Sequence, residues 1–141
     1  MKLLYGSLAL TIAGNVLYHL SQKSIPSGVH PAVSIVASYV TAIALSLVIF
    51  IAFPLHEPLL VEVKRLNWAT IAVGLSIVAV ELGFLLAYRA GWRVSLASVT
   101  ANTTVALILL PTGMLLFRER LTPTNAIGLV FCVIGLVLVT R

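Results

Sequence analysis

Few side chains in this 141-residue sequence are placed to do chemistry, and Glu81 leads them. It lies in LSIVAVELGFLLAYRAG, residues 75–91, and alone among the four acidic residues has long apolar sequence on both sides. An ionised carboxylate at the centre of a bilayer costs about 2.5–3.5 kcal/mol on insertion scales. A glutamate is also too short to reach the interface from there as a lysine does. No Lys or Arg falls in the central part of any apolar run, and the nearest in sequence, Arg89, is about two helical turns further on. Such a carboxyl carries its charge only when water or a cation reaches it. A group that exchanges a proton for a cation has this chemistry, so proton coupling or cation binding is the first reading of Glu81. A protonated interhelical hydrogen bond is the second, and a position at a displaced helix end is the third.

Other polar side chains recur at helical spacing. Ser7, Thr11, Gly14, Asn15, Tyr18 and Gln22 share a face of the first apolar run, and Ser34, Ser38 and Thr41, with Tyr39 beside them, mark the second. Thr70, Gly74, Glu81 and Tyr88 form a stripe on the third, and Ser95, Ser98 and Asn102 begin the fourth. A single Ser, Thr or Gly is well explained by close helix packing in lipid. Asn15, Asn102 and Glu81 ask for more, because each carries several hydrogen-bonding atoms. Four polar faces that avoid lipid are expected to converge, on a hydrogen-bonded core or on a water-accessible cavity. Asn15, Tyr18, Tyr88, Ser98 and Asn102 are the residues expected to line a substrate path.

The elements that must hold these residues follow from composition. The chain is 60% hydrophobic and 9% charged, with mean hydropathy +1.12. Soluble domains carry roughly 25% charged residues, so long apolar runs must lie between clustered charges. Spans are expected at about 3–22, 31–53, 68–88, 95–117 and 124–140, near the roughly 20 apolar residues a helix needs to cross a bilayer. The result is an all-α membrane protein, a single five-helix domain over residues 1–141 with no soluble module. The N-terminal MKLLYGSLALTIAG imitates a signal peptide but continues at helical spacing into Asn15, Tyr18 and His19, and is read as the first span. The segment 54–67, PLHEPLLVEVKRLN, is the one long connection; Leu59 to Leu66 reads as a wet loop, with a short amphipathic turn on the membrane surface as the alternative. Pro111 removes a helical donor to Leu107 and favours a kink in the fourth span.

Several function classes are disfavoured. The net charge of +5 comes from bases at span ends, where they meet headgroups, and no aromatic-interleaved basic face for nucleic acid is present. His19, His30 and His56 lie on separate segments without metal-ligand spacing, and no serine has a local base partner, so neither an enzyme nor a metal or cofactor site is expected. Cys132 is the only cysteine, which rules out an intrachain disulfide.

The segment 97–139, ASVTANTTVALILLPTGMLLFRERLTPTNAIGLVFCVIGLVLV, resembles the end of an EamA-type repeat of the drug/metabolite transporter superfamily. The resemblance rests on a small, polar helix running to Pro111, on the Glu119-Arg120-Leu121 stretch after an aliphatic run, and on a final helix spaced by Gly128 and Gly135. It implies one five-helix repeat where most relatives fuse two. The region is also similar to small multidrug resistance exporters, which work as antiparallel dimers. That similarity implies a dimer contact through Gly128, Cys132 and Gly135. Where those exporters carry an essential acid in their first helix, this chain has Thr11, three residues before Gly14, with His19 and Ser21 following. The protonatable group would therefore be Glu81. Orientation signals are weak: Lys2, Lys64, Arg65, Arg118 and Arg120 fall on one side and Lys23, Arg89, Arg93 and Arg141 on the other, five against four. Insertion both ways round, giving an antiparallel homodimer, or pairing with a separately encoded homologous half, fits that balance.

The expectation is a secondary transporter in a bacterial cytoplasmic membrane, moving a small metabolite or amphiphilic compound by alternating access and coupled to protons through Glu81. A subunit of a lipid-linked sugar flippase and an accessory membrane subunit without transport are the rivals.

Overall fold

The computed structural model describes residues 2–118 and 122–139. Within these residues six helices follow one another, α1 Lys2–Ser24, α2 Pro31–Ala52, α3 Leu59–Arg65, α4 Trp68–Arg89, α5 Val94–Phe117 and α6 Pro123–Val139. No strand occurs among the described residues. Among the described residues four helices, Leu3–Ser24, Pro31–Ala52, Trp68–Arg89 and Val94–Phe117, are long and apolar enough to cross a membrane, as in an integral membrane protein. The 17 residues of α6 rise about 25 Å, short of a full hydrocarbon thickness of about 30 Å.

Local chemistry sets the helix starts. His30 caps α2, its ring nitrogen accepting from the Ala32 N–H at 3.3 Å, and Pro31 follows with its backbone already suited to a first turn. Asn67 does the same for α4, accepting from the Ala69 N–H at 2.9 Å, and Thr122 for α6, accepting from the Asn125 N–H at 3.2 Å. The α4–α5 connection turns at Gly91, whose φ of 97° favours a residue without Cβ. Helix α5 ends on Arg118 in the left-handed region (φ 55°), whose N–H donates back to the Gly113 carbonyl.

One connection differs from expectation. Leu59–Arg65, read as a wet loop, is the helix α3. Glu62 in its first turn and Lys64 and Arg65 in its last complement the helix dipole. Arg65 also bonds Glu62 at 2.9 Å, one turn apart, and lies 3.9 Å from Glu57.

Packing gathers the chain into two compact units, Met1–Leu20 with Ala90–Arg141, and Ser21–Arg89. In the first unit α5 packs on α6; in the second α2 packs on α4. Large apolar side chains are broadly exposed, as lipid-facing helices require; every residue from 40 to 52 of α2 is exposed. In the second unit the buried residues Gln22, Ser34, Glu81, Leu85 and Tyr88 come from the end of α1, the start of α2 and the latter half of α4.

The hydroxyls behave differently from the converging faces expected of them. Ser7 donates to the Leu4 carbonyl at 2.9 Å, Thr11 to Ser7 at 3.0 Å, Thr41 to Ala37 at 3.1 Å and Ser76 to Ala72 at 2.8 Å. All four residues are exposed. A hydroxyl that bonds its own preceding turn is satisfied without a neighbour, so these stripes do not have to meet.

Candidate functional site

Glu81 is turned inward, with only 6% of its surface exposed. The register of α4 places it one turn before Leu85 and two before Tyr88, both buried, so one face of this helix carries the packing of the second unit. Gln22, from the last turns of α1, donates its amide to the Glu81 backbone carbonyl at 3.5 Å. From α2, the buried Tyr39 hydroxyl lies beside the Glu81 carboxyl, close enough to feel its charge but short of good hydrogen-bonding geometry. Ser34, one turn and one residue earlier, is buried and its carbonyl accepts from the Ser38 hydroxyl at 3.1 Å. No ion pair forms at Glu81 among the described residues. The carboxyl thus lies beside a phenol, while the Gln22 amide holds the backbone of the same residue.

One to two turns further along α4, the chemistry becomes basic. Lys23 donates its ammonium to the Tyr88 carbonyl at 3.2 Å and lies 5.8 Å from the centre of the Tyr88 ring, within cation–π range. Phe84 stacks on Tyr88 with ring centres 5.9 Å apart. Arg89 donates to the Val29 carbonyl at 2.6 Å, tying α4 to the α1–α2 connection. Gln22, Lys23, Ile25, Ser27, Tyr88 and Arg89 line a cavity of about 260 Å³.

A second cavity, of about 290 Å³, belongs to the first unit. Asn15, Ser98 and Asn102 line it, with His19 and the apolar Ile12, Val16, Leu20 and Val94. Three of the five path residues singled out by sequence therefore meet at one cavity. Tyr18 is not among its lining residues; its ring meets that of the neighbouring His19 edge-on at 5.2 Å. Tyr88 belongs to the basic cavity, and Glu81 lines neither.

Two participants were not singled out as site residues. His19 is 6% exposed on the cavity wall, one turn after Asn15, and Gln22 is 4% exposed beside Glu81. Their signal was positional: both extend the polar face of α1 toward its C-terminal end, where packing is closest.

The remaining residues singled out by sequence are placed as follows. Pro111 lies within a helix assigned without interruption from Val94 to Phe117. Gly128 and Cys132 are exposed, and a Cβ added at Gly128 or Gly135 would meet nothing within 4 Å. The Glu119-Arg120-Leu121 stretch lies outside the described residues. No group of three or more His, Cys, Asp or Glu suited to a metal ion occurs among the described residues. Comparison with protein-family models, curated proteins and solved structures gives no match.

Proposed function

We propose that the protein is a small secondary transporter of the drug/metabolite type, a single EamA-like repeat of five spans, in a bacterial cytoplasmic membrane. In this reading Glu81 holds the coupled proton or a cationic group of the substrate. The observation that carries it is an acid without a described ion-pair partner, buried in a helix apolar enough to cross a membrane. Intramembrane acids are expensive to keep, and those that persist mark ion and proton pathways. The Tyr39 phenol, beside the carboxyl, is the donor available when the charge appears, while Gln22 holds the Glu81 backbone in place. Since Glu81 is almost wholly covered, the arrangement corresponds to a closed stage, and turnover requires α2 or the end of α1 to move away from α4.

The cavity bearing Asn15, His19, Ser98 and Asn102 supplies the substrate contacts. Its mixture of apolar walls and a few amide, hydroxyl and imidazole groups suits a small amphiphilic or metabolite-sized compound. The outward face of α6 with Gly128, Cys132 and Gly135 is left open by packing within the chain, and serves as the contact to an antiparallel copy or to a separately encoded homologous half.

The test is flux in proteoliposomes, using quaternary ammonium dyes, amino acids and sugars, with and without an imposed pH gradient. Gradient-driven uptake is expected for the parent protein, and Glu81→Gln should lower it at least about tenfold, the order of loss expected when a coupled proton site is removed, while helix content is retained. Undiminished gradient-driven flux in that variant removes Glu81 from coupling. Labelling of single cysteines placed near either terminus, from each side of the membrane, then distinguishes dual from single insertion.

A further inference from the structure

We propose that the basic cavity of the second unit is a binding site for a phosphate group at the membrane surface. Its lining contains two cationic side chains and no acid: Lys23 and Arg89, with Gln22, Ser27, Tyr88 and Ile25. Lys23 occupies the last turn of α1 and Arg89 the last turn of α4, the ends of two helices long and apolar enough to cross a membrane. The 3.2 Å bond from Lys23 to the Tyr88 carbonyl brings those two ends together, so both cations lie at one interface, at the depth of lipid phosphates. A volume of about 260 Å³ accommodates a phosphate and several waters.

Arg89 lines the cavity as a cation without a described counter-charge. Its Nη2 is committed to the Val29 carbonyl at 2.6 Å, yet its Nε is buried and has no acceptor, and Arg89 makes no ion pair among the described residues. A buried donor left unmade is costly. An oxyanion in the cavity pairs with the guanidinium charge, whose fork of neighbouring N–H groups phosphate oxygens fit. The Ser27 hydroxyl adds a neutral donor on the same wall. The Lys23 ammonium, held over the Tyr88 ring, adds the second charge. Basic pockets between membrane helices hold lipid headgroups by this combination. The site is distinct from the Glu81 carboxyl, although Gln22 lines the cavity and also bonds the Glu81 carbonyl. It does not depend on transport.

The phosphate is either that of an anionic lipid or a free ion, and two probes separate them. Native mass spectrometry of the protein released from vesicles of phosphatidylglycerol mixed with phosphatidylcholine reads retained lipid. Phosphorus NMR line broadening with inorganic phosphate, on protein in neutral detergent, reads the free ion. Selective retention of phosphatidylglycerol, weakened about tenfold in Arg89→Gln and unchanged in Arg65→Gln, is the expected result for a lipid phosphate and for loss of one charge-assisted contact. Line broadening by inorganic phosphate with the same variant pattern supports the site with a soluble ligand instead. Because Arg89 also ties down the Val29 carbonyl, Lys23→Gln provides a second variant that leaves this tie intact, and it should weaken binding at least about threefold. Equal losses in Arg65→Gln and Arg89→Gln would mean diffuse surface attraction and overturn the proposal. So would neither probe binding, or binding insensitive to both Arg89→Gln and Lys23→Gln.

Discussion

Glu62 and Glu81 carry the same carboxyl into opposite surroundings. Glu62 sits on the seven-residue α3, partly exposed, with the Arg65 guanidinium 2.9 Å away and Glu57 sharing that partner at 3.9 Å. Glu81 sits in a 22-residue apolar helix, 6% exposed, with a phenol and an amide for company. At the first position, water and a flexible base make the charge easy to keep and of little consequence. At the second, the protein has enclosed a titratable group where a leucine would pack with less difficulty. What separates the two acids is the environment the neighbouring helices impose.

Charge reversal puts that contrast under the greatest strain. Glu81→Lys places an ammonium in the packed end of the second unit and should cost about 3–5 kcal/mol, as an uncompensated buried charge does. Folded yield by size exclusion in detergent would fall sharply. Glu62→Lys, on an exposed surface, should shift stability by no more than about 0.5 kcal/mol. Similar yields for the two variants would break the comparison.

Packing gives the next largest effect. Leu85 is 1% exposed on the face that also carries Glu81, and Leu85→Ala should cost about 2–4 kcal/mol by opening a cavity. Leu45→Ala, at a site 61% exposed, should stay within about 0.5 kcal/mol. Thermal unfolding of both in one detergent sharpens the boundary between the packed end of the second unit and its lipid-facing remainder. A smaller change is expected from Gln22→Leu, which removes the 3.5 Å bond to the Glu81 carbonyl and should cost about 1 kcal/mol in the same assay. Smallest of all, Glu57→Gln removes only the 3.9 Å partner of Arg65 and should cost under about 0.5 kcal/mol, a difference that disappears in high salt.

The helices were legible because apolar length is a direct physical requirement. The expected spans 31–53 and 68–88 became Pro31–Ala52 and Trp68–Arg89, their starts set by the caps His30 and Asn67, and 95–117 became Val94–Phe117; the one-residue shifts fall at ends without such a side-chain cap. Helix α3 was misread because seven residues with Glu62, Lys64 and Arg65 show too little periodicity to separate a turn of helix from a loop. Among candidate site residues, Asn15, Ser98 and Asn102, singled out by their spacing, line one cavity, although spacing within each helix does not say that α1 and α5 meet there. His19 and Gln22 were harder to weigh, because one sequence does not say which end of a polar stripe is packed. The stripes themselves overstated convergence: spacing records where a hydroxyl lies on a helix, and is blind to the carbonyl it bonds one turn back.

That habit of the hydroxyls has a mechanical corollary. The Ser7, Thr11, Thr41 and Ser76 side chains find their acceptors inside their own helix, so turning or sliding those helices against a neighbour breaks none of these bonds. In the second unit, Gln22, Lys23 and Arg89 instead reach across to another segment, tying the end of α1, α4 and the α1–α2 connection together. Within the second unit, α2 and α4 can therefore shift against each other along their length without losing a hydroxyl bond.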